Sequence, residues 1–347
     1  MGSFNAGGEG MASRSGSWVL SGLMLLMGSV GALAEGEGMR FDLPIDCEPG
    51  TSCWIANYVD VDPGPGVKDF TCGPRSYDTH RGTDFALRDL ATMRAGVAVR
   101  AAAPGTVRGL RDGMKDVDYR ELDKSEIEGR ECGNGLVIDH GNGWTSQYCH
   151  LMRLSLRVRK GQRVKTGDTL GLVGMSGRTV FPHLHFTIRR DKKVIDPFTG
   201  SANTERCGVK GDSVWTPAVR DALPYRPAAI YNMGIVDRVP DHRVIRDRGY
   251  AVEEGLSRGA PLFLWVDILG VRQADTITLS VTGPDGKVAM SKTLPVPKTQ
   301  ARRFVYIGRR PGSRGWPPGT YRGKVTLTRK LEGGAFEDSL STEATVR

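Results

Sequence analysis

Two short stretches about a hundred residues apart, His80-Arg81-Gly82-Thr83-Asp84 and His183-Leu184-His185, constrain the fold more than any other part of the sequence. The first offers an imidazole and a carboxylate four residues apart, the second two imidazoles two residues apart. Neutral imidazole nitrogen and carboxylate oxygen are ligands that a borderline-soft ion such as zinc accepts, and three protein ligands leave a fourth position for a reactive water. Metal-assisted hydrolysis is therefore the working expectation. On a strand, residues two apart share a face, about 6.6 Å apart at ~3.3 Å rise. His183 and His185 can thus face one groove, one binding the ion and the other beside the water, with Pro182 marking entry from a turn. His80 and Asp84 would lie about 13 Å apart if extended, too far to meet one ion roughly 2 Å from each. The backbone must bend between them, and Gly82 is where a bend costs least. A helical i, i+4 arrangement is the alternative, which the surrounding Gly and Thr disfavour. Each piece alone has a plainer explanation: a hydrogen-bonded structural histidine, a surface ion pair or a capping Asp. There is no H-E-x-x-H, so a group other than a helix-borne Glu must serve as base.

A chain of 347 residues with 39% hydrophobic content is long enough for about two domains. Residues 1–34 read as a secretory signal peptide: a Gly/Ser-rich start with Arg14, an apolar run from Trp18 to Leu33, and Ala32-Leu33-Ala34 as cleavage site, with Met11 as an alternative start. The competing reading, a membrane anchor, needs roughly 20 apolar residues. This run is shorter and Gly-rich, and no later run could span, so no transmembrane anchor is expected. Cysteines at 47, 53, 72, 132, 149 and 207 fit an exported protein with up to three disulfides. Cys132 and Cys149 flank a hairpin and can face each other. A cysteine metal site is disfavoured, because no C-x-x-C occurs. The net charge is +9, and from Trp215 onward 21 Lys and Arg stand against 13 Asp and Glu. Such a field favours anionic surfaces, cell-wall polymers among them. Export argues against nucleic acid as a partner.

The chain is expected to be mainly β. Residues 35–78 form an irregular, Cys-rich lead-in. Residues 79–207 form a β-rich domain of short runs bounded by Gly and Pro, with residues 89–94 either one helical turn or an extended loop. Residues 111–131 are an inserted charged loop of the kind that often binds or covers a site, with a short helix near Tyr119 to Leu122. The runs Gly135 to His140 and Trp144 to His150, joined by Gly141-Asn142-Gly143, predict a hairpin. Strand alternation would place His150 on the same face as Tyr148. His140, at the turn, reads as structural. After a linker at 208–227, with a brief helix at Thr216 to Leu223, residues 228–347 carry strands that recur at about ten residues or a little more, from Leu262 to Val346. This predicts a β-sandwich of immunoglobulin-like type. His242, among charges, is expected to be solvated.

His80 to Asp84, Gly133-Asn134-Gly135 with Asp139 to Trp144, Tyr148 to Leu151, Lys165 to Gly171, Gly174-Met175-Ser176-Gly177 and His183 to Phe186 together resemble the lysostaphin-type (LytM-like) zinc endopeptidases, over roughly Thr79 to Pro197. The resemblance implies an antiparallel β-sheet groove holding Zn2+ through His80, Asp84 and His185, with His150 and His183 as unligated catalytic histidines. It also implies cleavage of peptide cross-links in peptidoglycan, whose peptide stems are the expected partner. With no Glu base, His183 is the candidate to take a proton from water and pass it to the leaving amine. His150 would hold the water or donate to the oxyanion, a role in which losing one donor costs ~10²–10³ in rate; which histidine does which task stays open. The 111–131 insertion, the cysteines around the hairpin and the extra C-terminal domain depart from the pattern.

Two other classes compete. A catalytically silent LytM-like regulator of cell-wall amidases should have lost a ligand, whereas all five positions are filled. A carrier module is raised by Arg163 to Leu170, which resembles the turns of biotinyl and lipoyl domains, but the Gly174 to Gly177 turn lacks the Lys to be modified. The absence of a sorting motif and the cysteines point to secretion into the periplasm. The C-terminal domain is expected to meet the wall or envelope proteins. Its densest basic stretch, Lys298, Arg302, Arg303, Arg309, Arg310 and Arg314, reads first as a solvated loop.

Overall fold

The computed structural model describes residues 38–203, 207–209, 211–248, 255–331 and 334–347. The expected signal peptide lies outside them. In chain order the first elements are β1 (Cys53–Asn57), β2 (Thr83–Leu87), α1 (Leu90–Ala95), β3 (Ala98–Arg100), β4 (Gly105–Arg111), α2 (Lys124–Ile127), β5 (Asn134–Gly141), β6 (Trp144–Leu151), β7 (Arg163–Val164), β8 (Thr169–Leu172), β9 (His183–Arg190) and β10 (Lys193–Ile195). An antiparallel sheet runs in the order β1-β2-β9-β6-β5-β4-β7, with β10 added to β9, while β3 and β8 pair separately. The middle of this sheet follows from alternation. On β9, Leu184, Phe186 and Ile188 are buried in the main core beside Phe85, Ile138 and Tyr148. The residues between them, His183, His185, Thr187 and Arg189, take the other face.

The predicted hairpin forms, with Gly141 opposite Trp144. Asn142 and Gly143 both carry positive φ, 48° and 80°, as a type I′ turn requires. Residues 89–94 resolve as helix: α1 is capped by Asp89, whose carboxylate accepts from Thr92 N. The lead-in differs from its irregular reading, because β1 lies within it and pairs with β2. The insertion holds a 3-10 turn at Tyr119–Glu121 and, unexpectedly, α2, closed by an Asp123/Glu126 capping box. Three disulfides form, Cys47–Cys53, Cys72–Cys207 and Cys132–Cys149.

The remaining elements are α3 (Pro217–Ala222), β11 (Ala229–Val236), α4 (His242–Arg248), β12 (Leu262–Val271), β13 (Thr276–Thr282), β14 (Val288–Pro295), β15 (Gln300–Arg309), β16 (Gly319–Leu331) and β17 (Gly334–Val346). A three-stranded sheet, β11-β12-β15, and a four-stranded sheet, β14-β13-β16-β17, enclose one core of Ile230, Leu264, Ile268, Ile277, Leu279, Val325 and Leu327. This is the expected two-sheet packing. The basic stretch is strand rather than loop where Arg302, Arg303 and Arg309 lie on β15, and Arg302 is committed to the buried Asp267 through Nε at 2.8 Å. His242 is not simply solvated: its Nε2 stands 3.5 Å from Asp267 and its ring lies over Phe304.

An apolar cluster of Trp54, Ala56, Ala86, Ala229, Tyr231 and Leu269 joins β1 and β2 to β11 and β12. Through it the first sheet of the C-terminal part covers one end of the face that bears the histidines. The buried Arg75 links the same two regions, donating to the carbonyls of Ile55 and Leu269.

Candidate metal centre

Asp84 on β2 pairs with His185 on β9, and His185 with Cys149 on β6. Directly opposed residues share a face, so pairing alone carries the carboxylate onto the face of the two β9 imidazoles. His80 precedes β2 across a bend at Gly82. The reason for glycine is packing rather than an unusual φ: a Cβ there would stand 2.7 Å from His185 Nε2 and from the Phe186 carbonyl oxygen.

The result is a compact donor set. His80 Nε2 lies 3.1 Å from Asp84 Oδ1 and 3.1 Å from His185 Nδ1, and the last two atoms are 2.8 Å apart. Two ligands at roughly 2.05 Å from a tetrahedral zinc ion lie about 3.3 Å from each other, so these side chains need to open by only a few tenths of an ångström. Two nitrogens and one oxygen also suit that ion chemically. The residues present fit the metal.

The outward atoms are all held. His80 Nδ1–H donates to the Tyr58 carbonyl at 2.6 Å, since a carbonyl can only accept, and this leaves Nε2 with its lone pair. His185 Nε2 meets Thr187 Oγ1 at 3.0 Å, freeing Nδ1. Asp84 Oδ2 accepts from Asn57 Nδ2 at 2.8 Å. Such contacts fix ligand orientation and tautomer. Burial opposes ionisation of Asp84, but His80 and His183 with their charge, and His183 and His185 by hydrogen bonding, outweigh it and hold the carboxyl well below its usual range.

His183 and His150 stand together beside this set, ring centroids 4.6 Å apart, and His183 Nε2 is 3.5 Å from Asp84 Oδ1. His183 Nδ1 faces the Phe181 carbonyl at 3.0 Å and Thr179 Oγ1 at 3.1 Å. His150 Nδ1 donates to the Ser176 carbonyl at 2.7 Å. His150 therefore presents a bare Nε2, while His183 turns its Nε2 towards Asp84. The expectation that His150 shares the face of Tyr148 is overturned. Tyr148 is buried opposite Phe186, whereas His150 adopts φ of 63°, which breaks the alternation and turns its ring into the groove. Its amide donates to the Cys132 carbonyl at 2.8 Å. Burial, then the charges of His183 and His185, push the His150 pKa well below that of a free imidazole. His140 stays outside, bridging Pro104 O and Ser146 Oγ.

The structure thus brings His80, Asp84, His150, His183 and His185 to one groove. Sequence reasoning missed Asn57, Tyr58, Thr179 and Thr187, which orient them, and named Ser176 only as part of a turn, without its part in holding His150. Thr187 was accessible in principle, two residues after His185 on a strand. The others act through backbone carbonyls or come from segments without periodicity.

An antiparallel β groove with a His-Asp-His donor set on its floor is a site able to hold a metal ion. Residues 78–197 match peptidase family M23. The chain is 34% identical over 109 residues to the peptidoglycan DD-endopeptidase ShyA of Vibrio cholerae, covering 31% of this chain and 20% of that protein. It is 30% identical over 120 residues to the DD-carboxypeptidase/endopeptidase Mpg of Neisseria meningitidis, covering 34% of this chain and 22% of that protein. The chain thus spans about a fifth of the length of these curated relatives. Among solved structures it is similar to the catalytic domain of the antimicrobial peptidase lysostaphin from Staphylococcus simulans, with 22% identity, a TM-score of 0.27, and coverage of 41% of this chain and 85% of that chain.

Proposed function

We propose that this chain is an exported zinc metallo-endopeptidase that hydrolyses peptide cross-links of peptidoglycan, acting in the periplasm. The observation that carries the reading is the convergence of three metal-competent atoms within about 3 Å of one another beside two imidazoles whose Nδ1 atoms are tied to backbone carbonyls, which turns their Nε2 atoms to the groove. His80, Asp84 and His185 would hold the ion. Zinc bound there supplies Lewis-acid polarisation of a carbonyl and lowers the pKa of a water to about 7.

The chain's own groups account for the proton traffic. His183, its Nδ1 tied to the Phe181 carbonyl, can take a proton only at Nε2 and hand it to the leaving amine from the same atom. His150 has the same tautomer and a depressed pKa. Neutral, it accepts at Nε2 and does not donate, which favours a role holding the attacking water over a role as oxyanion donor. The names of the relatives support a peptidoglycan peptide as substrate. Three disulfides support an oxidising compartment. Among the described residues no helix is long and apolar enough to cross a membrane. The C-terminal sheets would meet the wall or an envelope partner.

The test is metal analysis together with mass spectrometry of muropeptides after digestion by the purified protein. His185→Ala is expected to lose both zinc and hydrolysis, since it removes a ligand. His183→Ala is expected to keep stoichiometric zinc and to lose turnover by about 10²–10⁴-fold. Zinc loss in the second variant, or wild-type protein that binds zinc but releases no new peptide ends, would reverse the assignment.

A further inference from the structure

The groove continues past the donor set along β9. It encloses a cavity of about 510 Å³ that is also bordered by Arg81, Gln147, Arg178 and Arg189. Alternation carries His185, Thr187 and Arg189 onto the same face, so Arg189 follows the metal ligand by two pleats, about 13 Å along the strand. Thr145 and Gln147 of β6 lie opposite Arg189 and Thr187. Arg189 is half-buried, and its Nη1 donates to a neutral acceptor, Gln147 Oε1, at 2.8 Å. Among the described residues it forms no ion pair; Asp139 and Asp191, which share a neighbouring hollow with it, stand beyond bonding range. Burial and the like charge of Arg81 both disfavour the Arg189 cation. A partly desolvated guanidinium near a like charge, bonded among the described residues to an amide oxygen and to no carboxylate, is costly unless an anion completes the site.

Resting on the endopeptidase reading above, we infer that Arg189 and Arg81 form a carboxylate-binding subsite that seats a free carboxylate of the peptide substrate. The guanidinium fork matches a carboxylate in two parallel hydrogen bonds. Gln147 fixes the plane of the fork, and the distance along β9 sets how far the carboxylate stands from the reacting carbonyl. The carboxylate can be the α-carboxylate that ends a stem or the side-chain carboxylate of an acidic residue within it. An uncharged or fully amidated stem would leave the guanidinium unanswered.

The test uses the zinc-loaded full chain and cross-linked stem-peptide dimers in three forms: free acid, amidated at the terminal α-carboxylates, and amidated at the side-chain carboxylates. Wild type is expected to prefer the free acid over one amidated form by about ten- to a hundredfold in kcat/KM, mainly through KM. The form that loses identifies the source of the carboxylate. Arg189→Gln is expected to erase the preference by weakening only the acid, and Arg189→Lys to retain part of it. Binding to the His183→Ala variant, measured by calorimetry, reads the same discrimination without turnover. It therefore separates failure of the subsite from failure of the endopeptidase reading. Equal binding of acid and amides, or an Arg189→Gln variant that weakens all three forms alike, overturns the inference.

Discussion

Asp196 shows how a single buried group couples this fold to pH. Its Oδ1 accepts from Phe198 N at 2.9 Å and Thr199 N at 3.0 Å, while its buried Oδ2 has no partner. Burial dominates, and the carboxyl pKa is raised to about 7 despite those hydrogen bonds. Because the folded value lies above the ordinary one, the folded state binds the proton more tightly than the unfolded chain. Stability from this group is complete below about pH 4 and is lost as pH rises through 7, by roughly 4 kcal/mol in all. Asp196→Asn keeps an acceptor at Oδ1 and removes the titration. It is expected to unfold in urea at a similar or slightly lower midpoint at pH 5 and at a clearly higher one at pH 8. Parallel pH slopes for the two proteins would mean that Asp196 ionises without cost. Gly82 makes a related point about reading single residues. The sequence placed it at a bend, correctly, but its decisive property is the missing Cβ beside the His185 ring, which only tertiary packing reveals.

At the scale of elements, legibility tracked periodicity. β9 and the β5–β6 hairpin were readable because alternation and an Asn-Gly turn are local properties, and the pairings that carry Asp84 to His185 follow from them. β1 was read as irregular, since five residues containing a cysteine give no pattern. β11 escaped because seven of its eight residues run apolar or glycine with only Asn232 interrupting, and a strand covered on both sides loses its alternation. α4 was hidden by charge. His150 failed for a different reason: a left-handed residue inside a strand reverses the face, and nothing in the periodicity announces it. What holds it there is the neighbouring Cys132–Cys149 bridge, which ties the Cys132 carbonyl to the strand that delivers the His150 amide. A Cys132→Ser, Cys149→Ser double variant is expected to lose about 2–3 kcal/mol of stability. Its turnover should fall while zinc content stays unchanged, because the metal donors sit on β2, on β9 and before β2. Undiminished kcat with the bridge removed would show that strand pairing alone seats His150.

Taken as a whole molecule, the C-terminal part reaches the groove through α4. Arg246 donates to the Val180 carbonyl and lies 3.9 Å from Asp118 of the insertion. Val180 sits between Thr179 and Phe181, the two residues that hold His183 Nδ1. One guanidinium therefore connects a helix of the C-terminal part, the inserted segment and the loop that aims an imidazole. The same helix makes a second contact, Arg94 to Asp247 at 3.0 Å, with both side chains half-exposed. Exposed pairs of that kind contribute about 0–1 kcal/mol, so the two contacts can be separated experimentally. Arg246→Ala is expected to lower kcat several-fold with KM nearly constant, because the His183 ring loses its backing while the groove keeps its shape. Arg246→Lys should recover part of the loss, since an ammonium can still donate to the Val180 carbonyl. Arg94→Ala should leave both constants as they are. A purely structural contact would instead lower the melting temperature in Arg246→Ala without the kcat-specific loss or its rescue by lysine, and in that case the C-terminal part would serve the groove only by covering the Trp54 end of the sheet.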